Sequence, residues 1–283
     1  MIFEDWHTHS SLCRHAIGNL EDYIKAAISK KLSLIGLSAH FPYEFLSGID
    51  HLKYQEYAMP LVDVEKYIST ALILKKKYEK QIQVKIGFEV DYIKNQVEKH
   101  RAYLKPFFHE LDYIIGSIHN LHTEFMGLLA FDDFRCLPYY KNYENIDDLF
   151  LAYYETLKEM VISVNFDFNI IGHLDLPKKF DKHPENEDLI LKNVSEILKL
   201  VKKRGYVIEL NSSGLRKPIN EQYPSEKILY LMSDLDIDVV LGSDAHHPDE
   251  IAYEFNRMHQ LLKECGFTRL SHFDHQNKSY INI

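Results

Sequence analysis

Short runs of β-forming apolar residues recur along this chain, and each is followed closely by a histidine or an acid. Ile2-Phe3 precedes His7 and His9, and Leu34-Ile35-Gly36-Leu37 precedes His40. Val84-Lys85-Ile86-Gly87-Phe88 ends at Glu89. Tyr113-Ile114-Ile115 precedes His119, Ile170-Ile171 precedes His173, and Val239-Val240-Leu241 precedes Asp244 and His246. Parallel strands bring their C-terminal ends to one face, where functional groups collect. The recurrence predicts one polynuclear metal site at those strand ends, with His15 of the first loop beside it.

Helix signals fill the intervals. Asn19 reads as the N-cap of a helix from Leu20 to about Lys31. Pro60 suits the first turn of the next helix. Further helices are expected over 95–107, 147–164, 185–204, 224–235 and 248–264, with Gly205 closing the fifth of the seven and Gly266 the last by the left-handed turn that glycine favours. The stretch Glu185–Arg204 carries Ile190, Val194, Ile197, Leu198 and Val201 on one stripe. Strands are expected over 33–38, 82–91, 111–117, 168–171, 206–211 and 238–242. Residues 120–142 read as an irregular, aromatic loop too long for a plain connector, hence a functional loop or lid. The tail 279–283 adds a short strand.

Seven βα units in order argue for one α/β barrel domain over residues 1–283. A doubly wound open sheet ranks second, because its ligands gather at one switch point.

The formal charge of −9, without a Lys/Arg-rich run, disfavours long nucleic acid as a partner. Three scattered cysteines with no CxxC pair suit a reducing compartment. Neither a signal peptide nor a membrane span is expected, so the default location is cytoplasmic. The sequence sets no oligomeric state.

His7 and His9 stand two apart, so an extended segment points both imidazoles to one side. Asp244 and His246 repeat that spacing. The ordinary alternatives are a capped loop histidine and a Ser243-Asp244 helix cap. Glu89 lies between Phe88 and Val90, either as a salt-bridged barrel-mouth acid or as a carboxylate bridging two cations. Imidazole with carboxylate suits Zn, Mn and Fe alike.

Taken together, Asp5-Trp6-His7-Thr8-His9-Ser10, Cys13-Arg14-His15-Ala16, Ser38-Ala39-His40-Phe41-Pro42, Gly87-Phe88-Glu89-Val90-Asp91, Gly116-Ser117-Ile118-His119, Gly172-His173-Leu174-Asp175-Leu176, the run Glu209–Lys217 and Gly242-Ser243-Asp244-Ala245-His246 resemble the PHP superfamily, and within it the monofunctional histidinol-phosphatases. The resemblance implies a distorted (β/α)7 barrel with three divalent metal ions. It assigns His7, His9, Glu89 and Asp244 to the first ion. Glu89 bridges to a second, completed by His119 and His173, and His15, His40 and His246 hold the third. It implies a phosphate-binding role for Arg216, whose planar fork suits phosphate oxygens. Lys178 or Lys179 is a second candidate, with a solvated surface lysine as the alternative. Asp132 or Asp133 is a candidate for a substrate ammonium.

The implied activity is hydrolysis of a small phosphate ester, L-histidinol phosphate, with Asp244 orienting the attacking water or accepting its proton. A phosphoesterase acting on nucleotides or oligonucleotide ends, and a non-catalytic metal-stabilised module, remain as alternatives. His51, His100, His109, His183, His247, His259, His272 and His275 read as surface or helix residues without a role.

Overall fold

In the computed structural model, residues 3–49, 52 and 54–283 are described; Ile2 and His51 lie outside the described residues. The chain runs β1 (Glu4–Asp5), α1 (Leu20–Ser29), β2 (Leu34–Leu37), α2 (Val64–Tyr78), β3 (Gln83–Asp91), α3 (Val97–Leu104) and β4 (Tyr113–Ser117). It continues through β5 (Asn120–Thr123), β6 (Gly127–Ala130), α4 (Ile146–Ile162), β7 (Ile170–Ile171), α5 (Glu187–Arg204), β8 (Val207–Asn211), α6 (Glu226–Asp234), β9 (Val239–Gly242), α7 (Phe255–Glu264), β10 (Arg269–Asp274) and β11 (Asn277–Asn282).

Seven strands form one parallel sheet in the order β1-β2-β3-β4-β7-β8-β9. Its first and last strands meet. The Trp6 amide donates to the Leu241 carbonyl at 3.0 Å and the His9 amide to Ala245 at 2.9 Å. Thr8 and Ala245 add a parallel bridge. The result is a nearly closed seven-stranded barrel with a helix after each strand, the distorted (β/α)7 architecture.

Local chemistry sets the helix ends. The Asn19 side chain accepts from the Glu21 and Asp22 amides while Asp22 returns a bond to the Asn19 amide, a capping box. Asn145 and Asp148 repeat it at α4. Gly205, at φ 73°, ends α5 in the left-handed region that costs glycine least.

Trp6, Leu34, Tyr113, Ile115, Ile170, Val207 and Val240 form an apolar cluster drawn from strands all around the barrel, and Phe273 of β10 joins it. The β10–β11 hairpin closes the N-terminal end of the barrel. The Gln276 amide donates to the Asp112 carbonyl just before β4, and Lys278 pairs with Asp238 just before β9. A filled lower barrel leaves the C-terminal strand ends as the place for a site.

Three expectations need correction. The 120–142 segment is ordered as the β5–β6 hairpin followed by a 3-10 helix, Phe134–Asn142. The tail forms a two-stranded hairpin rather than one short strand. The last helix begins at Phe255, because Ala252 and Glu254 take positive φ and break the chain after a short 3-10 turn at Pro248–Glu250. His100 and His259 lie in helices, as expected, on their buried faces; burial pushes the His100 pKa down to about 4, so it packs as a neutral ring between Phe45 and Phe166.

Candidate metal centre

The strand ends bring together all nine residues expected to bind metal. Glu89 sits inside β3 and pairs by backbone with His40 after β2. Its two oxygens face different neighbours. Oε1 lies 2.9 Å from His173 Nε2 and 3.5 Å from His119 Nε2. Oε2 lies 3.0 Å from His40 Nδ1, 3.3 Å from His7 Nε2 and 3.4 Å from His9 Nε2. Asp244 Oδ1 is 3.1 Å from His9 Nε2 and 3.7 Å from His7 Nε2. His246 Nε2 is 2.9 Å from His15 Nε2, and the His246 ring stacks on His9 at 4.3 Å.

These donors fit divalent cations. Metal–nitrogen bonds of about 2.0–2.1 Å hold ligand atoms of one ion roughly 3 Å apart, the spacing seen here. His7 Nε2 and His9 Nε2 are buried without a hydrogen-bond partner, which is costly unless another group satisfies them. Three overlapping donor sets meet at this point: His7, His9 and Glu89; His40, Glu89 and His119; and His9, His40 and His246.

The electrostatics point the same way. Burial penalises the charge on Glu89, yet His40, His7 and His119 outweigh it and hold the carboxyl well below its usual range. Burial also opposes the Asp244 charge, and His7, His9 and His246 keep its pKa well below normal. Burial works against protonating His119, but Asp91 and Glu89 raise its pKa to about 10. Burial lowers His40 and His246 well below normal, with His9 adding repulsion to both. Burial opposes protonating His7 and His9 as well, yet the acids around them raise both, so two ionised acids draw positive charge to this point and a cation would take the place of those protons, since ligands must be deprotonated to bind.

Second partners orient the rings, and sequence reasoning gave them no role. Glu209 Oε1 lies 2.8 Å from His7 Nδ1, while its Oε2 accepts the His173 amide at 2.9 Å and Asn211 Nδ2 at 3.0 Å. Asp91 Oδ1 holds His119 Nδ1 and its Oδ2 accepts the Tyr43 hydroxyl at 2.7 Å. Cys13 Sγ lies 3.5 Å from His9 Nδ1. Each leaves Nε2 free to face the centre. The available signal was weak: an acid two residues from Glu89, and one inside an apolar strand.

Glu209→Gln is expected to weaken metal binding about 10- to 100-fold. A carboxylate accepts from all three of its donors, whereas an amide turns an NH2 group toward one of them. Competition against a chelator would read the change, and an affinity equal to wild type would remove Glu209 from the site.

Asp244 takes φ 50° and His173 φ 23°. Strained backbone of this kind persists where surrounding bonds hold it. Asp5 does so for the Asp244 loop, accepting the Ser243 and Ala252 amides at 2.9 Å each. The Ser243-Asp244 helix-cap alternative does not apply, since His247 caps the turn that follows.

A cavity of about 480 Å³ opens over the cluster, a size that suits a small molecule. Its wall includes Tyr57, Asp132, Asp133, Arg135, Lys179 and Lys217. Four candidate substrate contacts lie as follows. Arg216 is not on this wall; it donates to the Ser243 carbonyl at 2.8 Å and the Asp244 carbonyl at 3.3 Å, and its Nε is 3.4 Å from Glu250. Lys178 is buried away from the wall, held by Asp175 at 3.0 Å and Glu221 at 2.6 Å. Asp132 and Asp133 are already paired, with Lys179 and Arg135 respectively.

A family model for the PHP domain matches residues 5–213. The chain belongs to the PHP family. The matched span stops before Asp244 and His246, which the barrel returns to the same cluster. This PHP chain is 28% identical to the histidinol-phosphatase of Bacillus subtilis, over 92% of its own length and 98% of that protein. Its fold is similar to the solved structure of hisK from Listeria monocytogenes, with a TM-score of 0.83, 28% identity, and coverage of 90% of this chain and 99% of that one. It is also similar in fold to histidinol phosphate phosphatase from Lactococcus lactis, solved with zinc, L-histidinol and phosphate; there the TM-score is 0.77 at 19% identity, covering 98% of both chains.

Proposed function

We propose that this protein hydrolyses L-histidinol phosphate to L-histidinol and phosphate, as a step of histidine biosynthesis in the cytoplasm. The activity follows the relatives' names. The observation that carries the chemistry is Glu89, whose two oxygens face separate imidazole sets at the floor of a cavity sized for a small phosphate ester. Among the described residues, no helix is long and apolar enough to cross a membrane.

In this reading His7, His9, Glu89 and Asp244 hold one divalent ion, Glu89, His119 and His173 a second, and His15, His40 and His246 a third, each Zn, Mn or Fe. Such ions lower the pKa of bound water toward neutrality and neutralise phosphoryl oxygens. The protein's own groups do the rest. Asp244, 16% exposed where Glu89 is 1%, borders the cavity as an ionised carboxylate. It is placed to orient the attacking water and accept its proton. Glu209 and Asp91 fix the rings of His7 and His119. Lys179, already on Asp132, adds positive charge to the wall.

The test is phosphate release from L-histidinol phosphate against a panel of nucleoside monophosphates, with metal analysis of the same sample. Histidinol phosphate should be favoured in kcat/KM by at least about 100-fold. A chelator should abolish turnover and lower the Tm, because ions bound only by the folded state stabilise it. Preference for a nucleotide would overturn the substrate, and full activity after chelation would overturn the metal chemistry.

A further inference from the structure

Cys13 is fully buried, yet its atoms reach three of the nine residues expected to bind metal. Its Sγ lies 3.5 Å from His9 Nδ1 and accepts the His40 backbone amide at 3.2 Å. Its carbonyl lies 2.7 Å from His15 Nδ1. One small residue thus touches the segment after β1, the first loop and the segment after β2.

The loop around it is built to hold that position. Ser11–Cys13 is a 3-10 turn, with the Cys13 amide donating to the Ser10 carbonyl at 2.8 Å. Arg14 ends it in the left-handed region at φ 67°. The Ser11 amide then bonds the Gly18 carbonyl and the Ile17 amide bonds the His246 carbonyl, at 2.8 Å each. The loop is therefore fastened to the end of β9 as well.

These contacts set which ring nitrogen carries a proton. A carbonyl can only accept, so His15 Nδ1 must donate to Cys13, and the Nε2 lone pair is left for the centre. At His9 the thiol could donate or accept. His9 Nε2 is buried without a hydrogen-bond partner and lies 3.4 Å from Glu89. An ion at that nitrogen requires the proton to sit on Nδ1, where it donates to Sγ. His7 and His119 have the Glu209 and Asp91 carboxylates for this purpose; His9 has a thiol. Sulfur is a large, soft acceptor, and here it serves two N–H donors beyond 3 Å that a smaller hydroxyl oxygen could not reach together.

We propose that Cys13 is a positioning residue of the metal centre: its sulfur and its carbonyl fix the His9 ring, the His15 ring and the His40 backbone, and so set how tightly the ions bind. The proposal rests on the metal reading above and not on the identity of the substrate.

Zinc is the probe. Its affinity is measured by competition with a chelator, without substrate, for wild type, Cys13→Ala, Cys13→Ser and Cys265→Ala. Cys265 is a second buried free thiol in the same apolar core, at the end of α7, and serves as the control for lost packing. Cys13→Ala should weaken zinc binding about 10- to 100-fold, the range for removing a group that orients a ligand. Cys13→Ser keeps one acceptor and should recover part of that loss, whereas Cys265→Ala should hold wild-type affinity. Nitrogen-15 NMR of the histidines in zinc-loaded wild type, which depends on no variant folding, should show His9 protonated at Nδ1. Wild-type zinc affinity in Cys13→Ala overturns the proposal. So does an equal loss in Cys265→Ala, a Cys13→Ser protein no better than Cys13→Ala, or a His9 ring protonated at Nε2 when zinc is bound. A wild-type protein that binds no zinc would sink the metal reading with it. A protein that shows every expected zinc result yet ignores histidinol phosphate would refute the substrate and leave this inference standing.

Discussion

Replacing Glu89 by glutamine is expected to lower the metal content of the purified protein and to reduce kcat by more than about 100-fold. Changes to groups that only orient metal ligands cost about 10- to 100-fold, and Glu89 is a candidate ligand in its own right. Its two oxygens lie 2.9 Å from His173 on one side and 3.0 Å from His40 on the other. Glutamine keeps the shape and one acceptor oxygen but replaces the other with an NH2 group. That group would face either His119 and His173 or His7, His9 and His40. In both cases one imidazole set loses the negative charge that balances a cation. The loss is not local, because Glu89 is also the charge that His7 and His119 share. Metal analysis by mass spectrometry beside steady-state kinetics checks this. Near-normal turnover with fewer ions would sink the bridging role, and a full metal complement with low turnover would move Glu89 from holding ions to acting on substrate.

The barrel and its ligand face were legible because both depend on short-range pattern. Alternating strand and helix signals give seven βα units, and parallel strands oblige their C-terminal ends to meet. His7 with His9, and Asp244 with His246, were legible as pairs because extended backbone turns alternate residues to one side. His40 was legible from its place after a strand and His15 from its closeness to His9, while only the resemblance assigned them to a particular ion. Glu209 and Asp91 were missed for a different reason. A buried acid in a strand reads the same whether it neutralises a lysine or orients a histidine, and the three-dimensional neighbour decides. Lys217, next to Arg216, lines the cavity, which the sequence did not show. The C-terminal hairpin escaped notice because its two-residue turn places His275 and Gln276 at positive φ, where the Asn-Gly signal of such turns is absent.

Trp6→Ala is expected to cost about 3–5 kcal/mol of stability, the range for truncating a large buried aromatic. Trp6 is 1% exposed and meets Tyr113, His272 and Phe273 edge-on, at ring separations of 5.0, 5.6 and 5.7 Å. Alanine would open a void in the lower barrel that the β10–β11 hairpin cannot follow, since Lys278 and Arg269 tie it to Asp238. The expected consequence reaches the metal centre because of where Trp6 lies in the chain. Its amide bonds to Leu241 at the barrel closure, its carbonyl accepts the Tyr113 hydroxyl at 2.6 Å, and the next residue is His7. Loosening that junction frees the segment carrying both His7 and His9, so metal affinity should fall together with the urea midpoint. Trp6→Phe keeps most of the apolar volume and should recover most of both. The coupling is read by unfolding the metal-free and metal-loaded proteins in parallel. If Trp6→Ala loses stability while its metal affinity stays at the wild-type value, the barrel closure does not support the site, and partners of the His7–His9 segment such as Glu209 and Glu89 hold it instead.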